Sequence, residues 1–307
     1  MCNPIVSLCM PTNGVIEWVF PVLDSIYGQE VEEGLYEVVI TDNGDNTEFK
    51  KRITEYKKDH INLVYKETNA LPFLNEIESY KCASGELIKF VNHRTKLVDG
   101  ALRKLIEFAK KNENEKPIVY FSNGVLRLKQ EQYIYSNFDQ FVKNLSYWSS
   151  WSTGMTIWKK DFERLPENID SFNELFPHTT VLFNERERDK YIIDNSIIFD
   201  ELSQGKKKKG DYDLFGAFGI EYPGIICDLL RNGDITSETF RVILKDNLNF
   251  IANLYFDYCI RKQYCSYKLD GFENIIGIFY SKKDLKNNIL GCGIKKVLNK
   301  FIGKKNL

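Results

Sequence analysis

A run of three polar residues, Asn92, His93 and Arg94, is the part of the sequence most suited to chemistry. It follows an apolar segment at 86–91 that is predicted to be a buried strand, and it precedes a helix predicted to open near Asp99. An open α/β sheet builds its ligand crevice from residues that follow the carboxyl ends of its strands. The tripeptide therefore predicts a ligand site at this edge, and an ordinary solvated loop is the competing interpretation.

The segments around the tripeptide predict an α/β fold. Apolar, β-branched runs alternate with helical patterns and turn-forming residues as far as position 204. This alternation predicts an open, mostly parallel sheet with helices on both faces. Helices at 132–144 and 172–191 and a strand at 192–199 are part of the prediction. A helical region at 205–307 is predicted to follow the α/β domain at 1–204.

Composition excludes several classes of protein. The chain has 42 basic and 43 acidic residues, a balance that argues against a nucleic-acid partner. Its seven cysteines are scattered without a CxxC pair, which predicts reduced thiols in the cytoplasm and neither a zinc site nor a disulfide framework. The start lacks the charged region of a signal peptide, and no stretch reaches the roughly 18 apolar residues of a spanning helix. A soluble or membrane-peripheral protein is expected.

Three sequence blocks together resemble a known family. They read VSLCMPTNG at 6–14, VVITDNGDNT at 38–47 and ASGELIKFVNHR at 83–94. In order and spacing they are similar to the nucleotide-sugar half of family 2 glycosyltransferases, which have the GT-A fold. The resemblance implies a donor half at about 1–105 and an acceptor half at about 106–204. It is close over residues 4–105, loose over 147–195 and hardly extends to the tail.

The resemblance implies roles for residues at the ends of the first two strands. Pro11 and Thr12 would contact the nucleoside, with a simple turn as the alternative. Asp42 would accept a hydrogen bond from the base imide. Its alternative role is the N-cap of the next helix, which Asp45 or Thr47 could supply equally well.

The resemblance also implies a diphosphate site, where this chain departs from the family. Asn69 and Asn75 match positions that line the donor pocket, but Leu74 stands where an arginine is usual. Residues 92–94 replace an Asp-x-Asp motif whose carboxylates hold Mg²⁺ or Mn²⁺. Arg94 cannot bind a cation, but it can offset diphosphate charge through a bidentate pair of hydrogen bonds. We therefore predict that the protein has no metal site and that transfer is independent of a metal. A weak dependence on Mg²⁺ or Mn²⁺ is the alternative.

A general base is expected some 70 to 90 residues after that motif in the family, commonly an aspartate in a Glu-Asp pair. The matching region reads SFNELFPHTTVLF and contains no such pair. His178 and Glu174 are the candidates, and Asp170 is a more remote one. An imidazole with a pKa near ~6.5 suits a base at neutral pH, although a lone histidine is more often a structural hydrogen bonder.

An aromatic and hydroxyl-rich segment at 148–158 is the predicted acceptor platform. Trp151 offers a flat face that can stack on a sugar ring, and aromatic core packing is the alternative. Ser152, Thr153 and Gly154 resemble the small-residue loop that approaches the acceptor in the family.

Basic residues concentrate towards the end of the chain. A lysine run at Lys206–Lys209 and a basic amphipathic tail at 282–305 suit the cytoplasmic face of an anionic membrane, where a lipid-linked acceptor would lie. A packed terminal helix with a solvated face is the alternative.

These observations together predict an inverting glycosyltransferase. It would move a sugar from a nucleoside-diphosphate donor of the UDP or TDP type to a hydroxyl of a glycan or lipid-linked acceptor, in bacterial capsule or other surface polysaccharide synthesis. It would act in the cytoplasm, at the inner face of the cell membrane. Inversion comes from the resemblance alone. The alternatives are a catalytically inactive sugar-nucleotide or glycan-binding protein and, less well supported, a nucleotidyltransferase, which would need metal-binding carboxylates.

Overall fold

The computed structural model describes residues 3–126, 128–203 and 210–303, the last seven of them as backbone only. Two compact units make up the chain. The first comprises Met1–Phe141 and Trp148–Ser203, and the second comprises Val142–Tyr147 and Gln204–Leu307.

The first unit is built on a mostly parallel sheet. Its strand order is β3-β2-β1-β4-β8, and β8 alone runs antiparallel to its neighbour. A two-stranded sheet, β10-β5, and a three-stranded sheet, β6-β9-β7, complete it. The strands are β1 (Val6–Thr12), β2 (Tyr36–Asp42), β3 (Leu63–Glu67), β4 (Leu87–Phe90), β5 (Thr95–Leu97), β6 (Ile118–Phe121), β7 (Gln132–Tyr135), β8 (Thr156–Trp158), β9 (Tyr191–Asp194) and β10 (Phe199–Glu201).

Helices cover both faces of the main sheet, because its central strands are apolar on both sides. Val6, Leu8 and Met10 of β1 pack into one core with the first, second and fourth helices, whereas Cys9 packs into another with the third. The predicted α/β fold class is confirmed. The helices that begin in this unit are α1 (Ile16–Tyr27), α2 (Thr47–Asp59), α3 (Asn75–Cys82), α4 (Ala101–Lys111), α5 (Phe138–Leu145), α6 (Lys159–Phe162) and α7 (Pro177–Leu182).

A buried carboxylate fixes the turn that leads into β4. Glu37 accepts hydrogen bonds from the Ser7 hydroxyl at 2.5 Å, from the backbone of Ser84 at 2.6 Å and from that of Gly85 at 3.2 Å. A Cβ atom on Gly85 would lie 2.7 Å from the Ser7 hydroxyl oxygen, so a larger residue cannot fit without displacement. This turn therefore sets the register of β4 and the position of the tripeptide that follows it.

Three predicted elements differ from the structure. The helix predicted at 132–144 is β7 followed by α5, because Gln132–Tyr135 alternates between exposed and half-buried side chains as an edge strand does. The helix predicted at 172–191 is only the six residues of α7, Pro177–Leu182, and Pro177 occupies its first position. The strand predicted at 192–199 is interrupted where the Asp194 carboxylate accepts the Ser196 amide at 2.9 Å, a turn that separates β9 from β10.

The second unit is helical. It contains α8 (Leu214–Gly216), α9 (Tyr222–Arg231), α10 (Ser237–Tyr255) and α11 (Lys282–Gly303). Its core includes Phe215, Ile251, Ile275 and Leu285. Within the residues described, no helix has the length and apolar character needed to cross a bilayer. The lysine run Lys206–Lys209 lies outside the described residues.

Candidate functional site

The end of β1 brings Thr12 against the tripeptide. The Thr12 hydroxyl accepts the Gly14 amide at 3.1 Å and lies 2.8 Å from His93 Nδ1. Gly14 has a φ of +77°, which allows the chain to reverse directly after the strand. Pro11 lies inside β1, one residue before its end. The structure thus places both predicted nucleoside contacts at the carboxyl edge of the sheet.

Asp42 ends β2 beside Thr12 in the strand register. One carboxylate oxygen accepts the Gly44 amide at 2.9 Å, and the other accepts the Tyr65 hydroxyl at 3.1 Å. Burial raises the pKa of this carboxyl, and those two hydrogen bonds oppose the rise. The N-cap of α2 is Asn46, so the capping alternative for Asp42 does not apply.

The two asparagines predicted for the donor pocket differ sharply. Asn75 is buried, and its amide donates to the carbonyls of Thr12 at 3.2 Å and Thr41 at 2.9 Å while accepting from the Thr68 hydroxyl at 2.8 Å. Asn69 is exposed. The Asn75 side chain therefore ties the ends of β1 and β2 together, and its contact with a donor stays a prediction.

Arg94 carries a buried hydrogen-bond donor without a partner. The Asn92 side-chain oxygen accepts both the Arg94 amide at 3.1 Å and its Nε at 3.2 Å, while the guanidinium carbon lies 5.5 Å from the centre of the Trp18 ring. The Nη1 nitrogen is buried and makes no hydrogen bond. Within the described parts of the chain, no carboxylate lies within ion-pair distance of this guanidinium. A buried cationic donor of this kind is suited to an anionic ligand.

His93 is held as a neutral ring. Its edge packs on Trp18, with ring centres 5.1 Å apart, and its Nδ1 faces the Thr12 hydroxyl. Burial, and secondarily the charge of Arg94, lowers the pKa of His93 to about 3. Trp18, on the first turn of α1, therefore supports two members of the tripeptide, and it belongs to no motif that would have revealed this role.

The tripeptide does not fit a divalent cation. A hard dication prefers several free oxygen ligands, but the Asn92 oxygen already accepts two bonds from Arg94, and His93 Nδ1 is engaged with Thr12. The neighbouring guanidinium would repel a cation. Among the residues described, no group of three or more His, Cys, Asp or Glu side chains could hold a metal ion. The absence of a metal from the reaction stays a prediction.

Side chains from other elements bind the backbone of residues 148–155, which we call the acceptor segment. Trp151, Ser152, Thr153 and Gly154 lie within it, and Ser152–Gly154 forms a 3₁₀ turn. The carbonyls of Trp148 and Trp151 share the single hydrogen of the Tyr120 hydroxyl. The Ser149 carbonyl accepts from Thr179, the Ser150 carbonyl from His178, and the Thr153 and Met155 carbonyls from Lys89. The segment is therefore held in one conformation. Trp148 and Trp151 meet edge to face, with ring centres 6.0 Å apart.

His178 is buried, with 5% of its surface exposed. Its Nε2 lies 2.8 Å from the Ser150 carbonyl, so this nitrogen carries the proton. Nδ1 is buried without a hydrogen-bond partner and lies 3.6 Å from a carboxylate oxygen of Glu76. The other Glu76 oxygen accepts from the Tyr80 hydroxyl. Nδ1 is consequently the nitrogen with the free lone pair, and a buried carboxylate lies beside it.

The remaining predicted residues lie apart from these contacts. Glu174 and Asp170 are exposed. Sequence reasoning missed Trp18, Glu76, Lys89 and Tyr120. A cavity of about 200 Å³ lies elsewhere in the first unit, and none of the predicted site residues lines it.

Glycosyltransferase structures share this fold. TarS from S. aureus in complex with UDP-GlcNAc matches at a TM-score of 0.60 and 15% identity, over 90% of this chain and 80% of that one. A longer TarS structure matches at 0.57 and 16% identity over 91% of this chain, which spans only 50% of its length.

A mannosyltransferase, PcManGT from Pyrobaculum calidifontis in complex with GDP-Man and Mn²⁺, matches at a TM-score of 0.53 and 12% identity, covering 98% of this chain and 89% of that one. No protein-family model matches the chain, and no curated protein does. At these identities the likeness is one of fold. The chain therefore has a glycosyltransferase fold, and its assignment to family 2 stays a prediction.

Proposed function

We propose that this protein is a glycosyltransferase that takes its sugar from a nucleoside-diphosphate donor. The observation that carries the proposal is the buried, unpaired Nη1 of Arg94 at the carboxyl edge of a sheet of glycosyltransferase fold. Open α/β sheets bind ligands at that edge. An anion such as a diphosphate would complete the hydrogen bonds of the guanidinium.

The donor would be held by residues at the ends of three strands. Asp42 would accept from the base, and Thr12 would lie near the nucleoside. Arg94 would donate to the diphosphate and stabilise the negative charge that grows on it as the glycosidic bond breaks. Because this positive charge is covalently part of the chain, the proposal includes transfer without a metal. PcManGT, whose structure contains Mn²⁺, shows that the fold also accommodates one.

The acceptor hydroxyl would lose its proton to His178. Nδ1 of His178 has a free lone pair, and the Glu76 carboxylate 3.6 Å away would stabilise the imidazolium that forms. Because this nitrogen is buried, the role requires that acceptor binding uncover it. Attack opposite the leaving group would invert the anomeric configuration, as the family resemblance implies. Glu174, which is exposed, is the alternative base.

The acceptor side of the proposal rests on the acceptor segment and on α11. Trp148 and Trp151 offer aromatic faces for a glycan. On α11, Leu290 and Ile294 are 57% and 62% exposed on a helix that also carries exposed lysines at 286 and 295. A lipid-linked acceptor at the cytoplasmic face of an anionic membrane, in bacterial surface polysaccharide synthesis, would suit such a helix. Co-sedimentation with vesicles that contain anionic lipid tests this part separately.

A thermal-shift screen tests the donor proposal. UDP, TDP, GDP and CMP and their sugar conjugates are added in EDTA and, separately, in Mn²⁺. A ligand at about 100 times its Kd should raise the free energy of unfolding by about 2.7 kcal/mol. We expect one nucleoside diphosphate to stabilise the protein equally in both conditions. Binding of none of them would contradict the donor site, and binding in Mn²⁺ alone would contradict metal independence.

A further inference from the structure

Lys89 is a cationic side chain buried completely within the central sheet. It lies in β4 between Ile88 and Phe90, and its exposed fraction is 0%. Charged groups are rarely buried without a partner, because removing an ammonium from water is costly. A lysine at this depth therefore needs a specific set of contacts.

Those contacts are two backbone carbonyls of the acceptor segment. The Lys89 ammonium donates to the Thr153 carbonyl at 2.6 Å and to the Met155 carbonyl at 3.0 Å. The rings of Phe199 and Phe121 lie 5.2 Å and 5.8 Å from the same nitrogen. In the described residues no carboxylate forms an ion pair with it. The hydrogen bonds of the ammonium therefore go to the acceptor segment.

The two carbonyls lie on either side of Gly154. This glycine packs so closely on Tyr120 that a Cβ atom would lie 2.1 Å from the ring. The backbone around it is pressed into the core, where water cannot satisfy its carbonyls. An apolar residue at position 89 would leave the Thr153 carbonyl unpaired, a costly state for a buried backbone group, and would leave the Met155 carbonyl with the Phe90 amide at 3.3 Å.

We propose that Lys89 is a positioning residue for the acceptor, which it fixes indirectly by holding the Ser152–Gly154 turn through these two carbonyls. This inference rests on the proposed function, because it assumes that the turn contacts the acceptor. Lys89 touches no substrate itself. It determines where Ser152 and the neighbouring Trp151 present their side chains.

The electrostatic surroundings of Lys89 make its two hydrogen bonds to the acceptor segment, which we call the tether, dependent on pH. Burial lowers the pKa of Lys89 to about 7, and the charge of Glu76 on α3 partly opposes this effect. The other groups around the nitrogen, as far as the structure describes them, are the two carbonyls and the two phenyl rings. Below about pH 7 the ammonium makes charge-assisted bonds, whereas the neutral amine above it makes weaker ones.

The test compares Lys89→Met with Lys116→Met. Lys116 is a matched control because it also lies over an aromatic ring, that of Trp158, but pairs with Glu86 at the surface. Amide hydrogen exchange at residues 151–156 should rise at least about tenfold in Lys89→Met and stay unchanged in the control. The KM for a panel of p-nitrophenyl glycoside acceptors should rise about tenfold, while the Kd of the nucleoside diphosphate stays within about twofold.

If Lys89→Met does not fold, the pH dependence of amide exchange in the unmodified protein tests the same role. Between pH 6 and pH 8.5, exchange at 151–156, corrected for its intrinsic pH dependence, should rise through about pH 7. A flat profile, or unchanged exchange and KM in Lys89→Met, would overturn the role of Lys89. If no nucleotide binds and no glycoside reacts while exchange behaves as expected, the proposed function fails and the tether survives as a structural feature only.

Discussion

The donor edge, formed by the ends of β1, β2 and β4, and the acceptor segment satisfy their buried polar groups differently. At the donor edge, Arg94 keeps one buried nitrogen without a partner. In the acceptor segment, six of the eight carbonyls accept from side chains of other elements. An unpaired buried donor marks a place that a ligand can complete, whereas a saturated backbone marks a scaffold. The difference suggests that the donor edge binds a ligand, whereas the backbone of the acceptor segment positions side chains.

The largest effect is expected from His178→Gln. This substitution tests whether His178 only holds the acceptor segment in place or also acts as the general base. A glutamine amide can still donate to the Ser150 carbonyl, but it cannot accept a proton. We expect turnover to fall by about 10²- to 10⁴-fold, because general-base catalysis contributes that much, with donor affinity unchanged. Steady-state kinetics and donor titration measure the two quantities.

Glu174→Gln is the matched control for this substitution, since it removes the alternative carboxylate from an exposed position. Its turnover should stay within about threefold of the unmodified protein. If the two variants exchanged these results, Glu174 would be the base, and His178 would only hold the Ser150 carbonyl.

Gly154→Ala tests how rigidly the acceptor segment packs. The added methyl group would lie 2.1 Å from the buried Tyr120 ring, so either the ring or the segment must move. We expect the free energy of unfolding, from urea denaturation, to fall by about 3 kcal/mol. Gly34→Ala is the control, because its nearest neighbour atom would be 3.9 Å away. Equal stability of the two variants would show that the segment yields easily.

The placement of the polar residues of the donor edge at the ends of β1, β2 and β4 could be predicted from the sequence, because the signals for it are local. Each strand is an apolar, β-branched run, and the polar residues at its end follow directly, as Asp42 follows the apolar part of β2 and residues 92–94 follow β4. The alternation of strands and helices then determined the fold class. The role proposed for Arg94 combined the family resemblance of residues 83–94, which implies a diphosphate site there, with the chemistry of guanidinium.

The supports of both regions could not be predicted, because their partners are distant in the chain. Lys89 stands in an apolar strand, and its partner Thr153 is 64 positions away. Trp18 reads as an ordinary apolar position of an amphipathic helix. The sequence predicts a helix where Gln132–Tyr135 forms a strand, because short apolar patterns suit both structures and the sheet decides between them.

His93→Asn has the smallest expected effect and tests the burial of the donor edge. Unfolded histidine binds a proton near ~6.5, whereas burial lowers the pKa of His93 in the fold to about 3. Between these values the unfolded state binds more protons, so the free energy of unfolding falls as the pH falls. Asparagine can still meet Thr12 but does not titrate. From pH 6.5 to about pH 4.7 the unmodified protein should lose about 2 kcal/mol more stability than the variant. Parallel urea midpoints across this range would contradict a His93 ring that stays neutral in the fold.

The most direct test of the donor site is calorimetric titration of a nucleoside mono- and diphosphate pair into Arg94→Met, in EDTA. Arg103→Met is the control, because Arg103 is an exposed arginine of α4. We predict that Arg94→Met weakens diphosphate binding by about 10- to 100-fold, the worth of charge-assisted hydrogen bonds, and leaves monophosphate binding nearly unchanged. The control should match the unmodified protein. Undiminished diphosphate affinity in Arg94→Met, or binding that appears only when Mn²⁺ is added, would contradict the claim that Arg94 supplies the charge.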